Sequence, residues 1–168
     1  MDNTLVFIHG LESTARGTKG QYFSRHFPQM IIEDYVGDLS SRMEKLNHVL
    51  AGKDRLILVG SSYGGLMAVQ YAMENRNKVK KLILLAPALN LSEFQPDQNR
   101  PLDIPAIIYH GVHDNIVDPI VVKRIASGCF KYLEHHFVED DHPLQKTFSS
   151  LNWKSLLMED GMSGRKLP

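Results

Sequence analysis

An α/β fold, in which helices flank both faces of a small, mostly parallel sheet of about six strands as a three-layer α/β/α sandwich, is the architecture this 168-residue sequence predicts. Three observations carry that expectation. Short apolar runs of strand length alternate with longer segments of helical period. No linker, internal repeat or low-complexity tract interrupts the alternation. The sharpest turn signal, Gly60-Ser61-Ser62-Tyr63-Gly64, follows the apolar-rich run Arg55-Leu56-Ile57-Leu58-Val59 and opens a helix-patterned segment.

In chain order, the apolar runs predict strands near residues 4–8, 30–33, 55–59, 80–85, 105–110 and 132–138. Helical patterns fall between and after them, near 19–27, 39–51, 64–75, 119–127 and 144–157. In the second helix Leu39, Met43, Leu46 and Leu50 recur on one face, Asp38 or Ser40 can cap the start, and Gly52 can end it. In the third, Leu66, Val69 and Met73 share a face while Ala68 and Ala72 permit close packing to the sheet. Asp118 before Pro119 has the pattern of an N-cap followed by proline at the first helical position. Residues 1–160 read as one domain, and 161–168 as a flexible tail with few apolar anchors.

Composition narrows the partners. Lys+Arg and Asp+Glu both number 19, which leaves no basic face for nucleic acid and no acidic field for cations, so a small, roughly neutral molecule is expected. Cys129 is the single cysteine; it excludes an intramolecular disulfide, suits a reducing compartment, and reads as a small buried hydrophobe. Met1-Asp2-Asn3-Thr4 runs into Leu5-Val6-Phe7-Ile8 without a basic n-region or extended apolar h-region, and no segment approaches the length of a membrane span. A cytoplasmic, soluble protein is the expectation. The sequence sets no oligomeric state.

Loops at the carboxyl ends of parallel strands line the ligand crevice in such sheets. That rule selects His9-Gly10-Leu11-Glu12-Ser13, Asp34-Tyr35, Ser61-Ser62-Tyr63, Pro87 to Asp103, Gly111 to Asp118 and Glu139-Asp140-Asp141-His142. A serine hydroxyl is a poor nucleophile at neutral pH; it needs a base, and the base needs a partner that holds its tautomer. The three groups occur here in the order Ser62, Asp114, His142, each just past an expected strand. Glu93 and Asp97 also lie in a plausible loop for the acid, and Asp118 is better read as a cap. Asp114, in the turn directly after His110-Gly111, is favoured by its placement.

On Leu5-Val6-Phe7-Ile8-His9-Gly10, Gly60-Ser61-Ser62-Tyr63-Gly64-Gly65, His110-Gly111-Val112-His113-Asp114 and Asp141-His142, the chain resembles the α/β-hydrolase superfamily, and within it the small bacterial serine esterases that lack a cap domain. The resemblance implies a minimal α/β-hydrolase fold in which Ser62 is the nucleophile, His142 the base and Asp114 the orienting acid. It implies backbone donors for the oxyanion, here the N–H groups of Leu11 and Tyr63. His9 and Gly10 belong to the oxyanion loop beside the substrate, with His9 holding the turn by hydrogen bonding. The first strand already carries the His-Gly pair, so two leading strands of larger members are missing and the second strand should lie outside the first. Ser61 stands where larger members often carry histidine.

The activity so implied is hydrolysis of small carboxylic esters through an acyl-enzyme. A thioesterase using the same residues and a non-catalytic ligand-binding member of the fold are the alternatives. No cofactor or metal is expected: His110-x-x-His113-Asp114 and His135-His136 fit no known zinc helix signature. His110 and His113 flank the acid turn, and His135 and His136 fall within the sixth strand with one facing solvent. Their roles are left unassigned by the sequence.

Overall fold

The computed structural model describes residues 2–158; the segment 161–168 expected to form a tail lies outside the described residues. Six strands, β1 (Thr4–Ile8), β2 (Ile31–Ile32), β3 (Leu56–Ser61), β4 (Val79–Leu85), β5 (Ala106–Gly111) and β6 (Leu133–Val138), form one sheet in the order β2-β1-β3-β4-β5-β6. Every pairing is parallel, so the expected "mostly parallel" sheet is wholly parallel. As anticipated, β2 sits outside β1.

Parallel strands need both faces covered, and the central strand shows how the sequence does it. In β3, Leu56 and Leu58 face one apolar cluster while Ile57 and Val59 face the other. The first cluster adds Leu46 of α2 (Leu39–Val49), Leu66 and Val69 of α3 (Tyr63–Glu74), and Val122 and Ala126 of α4 (Pro119–Cys129). The second adds Phe23 of α1 (Thr18–His26), Phe148 of α5 (Gln145–Ser150), and Trp153 and Leu157 of α6 (Trp153–Met158). Two clusters separated by one sheet make the three-layer sandwich. Cys129 is fully buried in the first cluster, and burial pushes its thiol up to about 11, which suits the small hydrophobe expected there.

Caps follow local chemistry. The Asp38 carboxylate accepts from Ser41 N–H at 2.9 Å, while Asp118 accepts from Ile120 N–H at 2.8 Å and Val121 N–H at 3.2 Å, with Pro119 opening α4. Gly52, at φ +70°, turns the chain shortly after α2.

The predicted helix 144–157 is instead two helices. Leu151 is extended at φ −70°, ψ 139°, and the Asn152 side chain accepts from Ser155 N–H at 3.1 Å to start α6. The cause is packing: Phe148 and Trp153, about 140° apart on a continuous helix, both close on Phe23, at centroid distances of 5.4 and 4.9 Å. Trp153 Nε1–H then donates to Phe148 O at 2.9 Å, so burying the indole leaves no orphan donor.

Between β4 and β5, residues 86–105 contain no named helix or strand, only a bridge from Leu102 to Phe130. Leu89, Phe94, Leu102 and Ile104 from this segment are buried in the first cluster. The segment closes the core and builds no cap.

His135 on β6 lies on the side of His110 and Phe137, whose rings it stacks with; His136 is exposed. Neither His135 ring nitrogen has a hydrogen-bond partner among the described residues. Burial, the largest cause, with the nearby Lys123 ammonium adding to it, brings its pKa down from 6.5 to about 4. Between those values the unfolded chain binds a proton that the folded chain refuses, so stability should be full above pH 6.5 and fall as pH drops toward 4. Urea unfolding midpoints from pH 7 to 4.5 should therefore decline, and less steeply in His135→Leu.

Candidate active site

The β3–α3 turn fixes the first residue. Ser62 lies between the strand and the helix at φ 54°, ψ −116°, a strained conformation for a residue with a side chain. The turn is tight enough that a Cβ on Gly60 would come within 2.5 Å of Gly64 O and 2.7 Å of Gly65 Cα. A Cβ on Gly64 would lie 2.6 Å from His9 O and collide with Ile8 O. Only glycine lets α3 start this close to both β1 and β3. Although Ser62 stands at the N-cap position, its side chain makes no capping bond. The hydroxyl points to His142 instead.

Ser62 Oγ is 3.0 Å from His142 Nε2, and His142 Nδ1 is 2.7 Å from Asp114 Oδ2. The three residues come from the ends of β3, β5 and β6, adjacent positions in the strand order except for β4 between β3 and β5. His142 keeps 15% side-chain exposure; the Asp114 side chain has none. Since a carboxylate accepts, His142 Nδ1 must carry the proton and Nε2 faces the serine with its lone pair.

Asp114 is held on every side. Its Oδ1 accepts from Ile116 N–H at 2.9 Å and Val117 N–H at 2.8 Å. Its Oδ2 also lies 3.1 Å from His110 Nε2. Burial pushes the carboxyl pKa up, but the hydrogen bonds from Val117 N–H, His142 and Ile116 N–H together outweigh it and hold it below the ordinary value. An ionised acid is the result.

The loop after β1 lies over the serine. Gly10 is packed so closely that a Cβ there would meet Ser62 Cβ at 3.2 Å. Among the described residues the backbone N–H groups of Leu11 and Tyr63 have no acceptor, and that of Tyr63, first in α3, has no intrahelical one to find. His9 lies in this same loop. It is only 2% exposed, its Nδ1–H donates to Gly10 O at 2.7 Å, and its Nε2 accepts from Tyr35 N–H at 3.0 Å. With both nitrogens engaged, the ring ties the loop to Tyr35. Ala15 N–H adds a bond to Asp34 Oδ1 at 2.6 Å.

Lys19 on α1 donates from Nζ to Pro143 O at 2.6 Å and so clamps the loop that carries His142. That contact joins positions 124 residues apart and has no signature in the sequence. His113 pairs with Glu139 on the surface, and His136 with Glu134. Among the described residues no group of three His, Cys, Asp or Glu side chains is placed to hold a metal. Glu93, weighed as an acid from the sequence, accepts instead from the Tyr63 hydroxyl at the edge of a cleft of about 360 Å³. That cleft is lined by Gln70, Glu74, Arg76, Asp97 and Arg100 among others, and by none of the Ser62, His142 and Asp114 trio. No helix among the described residues is long and apolar enough to cross a membrane.

Known proteins share this frame. The serine aminopeptidase family S33 matches residues 24–102, just under half the chain, a stretch that includes Ser62 and stops before Asp114 and His142. The homoserine O-acetyltransferase of Thermus thermophilus is 33% identical over 67 residues, 40% of this chain. The chain spans 16% of the length of that relative. Among solved structures, the mouse α/β hydrolase domain-containing protein 10 has a TM-score of 0.74 at 18% identity, covering 89% of this chain and 86% of its own. The esterase RhEst1 from Rhodococcus sp. ECU1013 has a TM-score of 0.68 at 14% identity, covering 95% and 91%. The chain has a minimal form of the α/β-hydrolase fold.

The strain at Ser62 has a measurable counterpart. Ser62→Gly should raise the thermal midpoint by an amount equivalent to about 1 kcal/mol, because glycine adopts positive φ without penalty. A thermal melt that moved downward would place the strain elsewhere.

Proposed function

We propose that the protein hydrolyses small carboxylic esters, with Ser62 as nucleophile, His142 as general base and acid, and Asp114 as the group that orients His142. The 3.0 Å contact between Ser62 Oγ and His142 Nε2, backed by the 2.7 Å contact to Asp114, is the observation that supports this reading best. His142 Nε2 takes the hydroxyl proton as Ser62 Oγ bonds to the acyl carbon. The carbonyl oxygen becomes an oxyanion and receives the N–H groups of Leu11 and Tyr63. One such donor is worth about 3–4 kcal/mol in the transition state, and the positive end of α3 adds to the field.

Collapse of that intermediate breaks the bond to the leaving alcohol, which departs with the proton held on His142. Water, deprotonated by the same nitrogen, then attacks the acyl-enzyme and restores Ser62. The ionised Asp114 stabilises the imidazolium at both stages. Thioesters would follow the same course. A non-catalytic ligand-binding role predicts no covalent step and is separated by the first experiment below.

A fluorophosphonate probe should label the full chain, and Ser62→Ala should abolish both labelling and ester turnover while the protein remains folded. Labelling retained in Ser62→Ala would move the nucleophile, with Ser61 the first alternative. Asp114→Asn should lower kcat by several orders of magnitude, since it removes the charge facing the imidazolium and favours the wrong tautomer, whereas Asp118→Asn should cost only a mild capping effect.

Acyl preference follows from the β4–β5 segment. Leu89 and Phe94, the side chains most able to build an acyl groove, are 1% and 7% exposed and are spent on the core. At about 0.8 kcal/mol per buried methylene, a site without such a groove gains little from a long chain. p-Nitrophenyl acetate and butyrate should be better substrates by kcat/KM than the palmitate. A rate that climbs steadily with chain length would contradict this.

A further inference from the structure

His110 is fully buried at the end of β5. Its Nε2 lies 3.1 Å from Asp114 Oδ2 and 3.0 Å from Val117 O. Both neighbours are acceptors, so Nε2 must carry a proton shared between them. Its Nδ1 has no partner among the described residues, which leaves no place for a second proton. The ring stacks on that of His135 at a centroid distance of 6.2 Å. The geometry is that of a neutral imidazole used as a fixed donor. Burial, the largest influence on it, lowers its pKa against the opposing pull of Val117 O and Asp114.

We propose that His110 is a positioning residue for Asp114: its Nε2–H donates to the same Oδ2 that receives His142 Nδ1–H, and so fixes the carboxylate plane that aligns His142 on Ser62. The two Oδ1 bonds come from the backbone of the acid's own loop, at Ile116 and Val117, and can move with that loop. His110 stands on the strand, and its bonds to both Oδ2 and Val117 O tie the loop to the sheet. For turnover the proposal rests on the ester-hydrolase reading above; for the Asp114–His142 geometry it does not.

Sharing Oδ2 also sets basicity. A donor on the carboxylate spreads its charge, so removing that donor leaves a more basic oxygen that holds the His142 proton more firmly. The ionisable groups around this pair are Asp114 on the β5 loop, His142 on the β6–α5 loop, His135 on β6 and, acting on His135, Lys123 on α4. Loss of the His110 donor should therefore raise the pH at which His142 loses its proton.

Nitrogen NMR of histidine-labelled wild-type protein tests the donor directly: His110 should be protonated at Nε2 and bare at Nδ1 near neutral pH, and a proton on Nδ1 would overturn the proposal. In His110→Phe, which keeps the ring and its stacking, the His142 titration read by NMR without substrate should move up by about half a unit, the worth of one hydrogen bond. With an ester, kcat should fall about tenfold with KM little changed, and the acid limb of the rate profile should move in the same direction. His110→Gln, whose amide offers an N–H near the Nε2 position, should restore the titration and most of the rate. His113→Gln, altering an exposed histidine of the same loop, should change neither.

If Phe and Gln variants lose activity equally with the His142 titration unmoved, His110 only fills space and the proposal fails. Should His110→Phe not fold, the wild-type tautomer and the Gln titration decide the matter. A wild-type protein without ester or thioester turnover would sink the functional reading, while the tautomer and the substrate-free titration would still judge His110.

Discussion

The passage from β3 into α3 is the constraint on which the rest of the molecule turns. The chain must leave a buried central strand, reverse within one residue, and enter a helix packed against the strand it has just left. Gly60 and Gly64 remove the side chains that would block this, and Ser62 at φ 54° absorbs the reversal. The strain at that residue is held by the surrounding packing: Ser62 N–H donates to Leu85 O of β4, and Ser62 O accepts from both Gly65 and Ala88 N–H. As a result the hydroxyl stands clear of its own helix.

Around that fixed point the other loops are fastened to the sheet, each by a different element. His9, locked by Gly10 O and Tyr35 N–H, holds the loop that lies over Ser62. Lys19 reaches from α1 to the backbone beside His142. His110 binds the carboxylate of Asp114 and the carbonyl of Val117. None of these three side chains touches the Ser62 hydroxyl by hydrogen bond, yet each restrains a loop whose position sets a distance of about 3 Å. Hydrogen-bonded alignment at that length is what separates a usable base from a nearby histidine.

The electrostatics follow the same division. Asp114 is buried and hydrogen-bonded through both oxygens, which holds its pKa below the ordinary value despite the desolvation that opposes it. The His142 side chain is partly open to solvent, whereas that of Asp114 is not. Burial of His110 and His135 keeps both neutral, so that no additional positive charge competes with His142 for Asp114.

The sequence by itself determined the alternation of strands and helices, the position of the sharp turn at Ser62, the caps at Asp38 and Asp118, and the order of serine, acid and histidine. Those features are local: apolar period, glycine at a steric bottleneck and capping chemistry are all written within a few residues of where they act. Tertiary structure decided the rest. It broke the last helix at Leu151 because Phe148 and Trp153 must meet the same Phe23, and it buried His9 with both nitrogens occupied. It joined His142 to a serine 80 residues away, and it gave one histidine of the acid turn, His110, a buried bond to Asp114 while leaving the other, His113, on the surface. Which way a ring faces at the end of a strand depends on the neighbouring strand and the helix above it, and those neighbours are chosen by the sheet order rather than by the residues beside the ring.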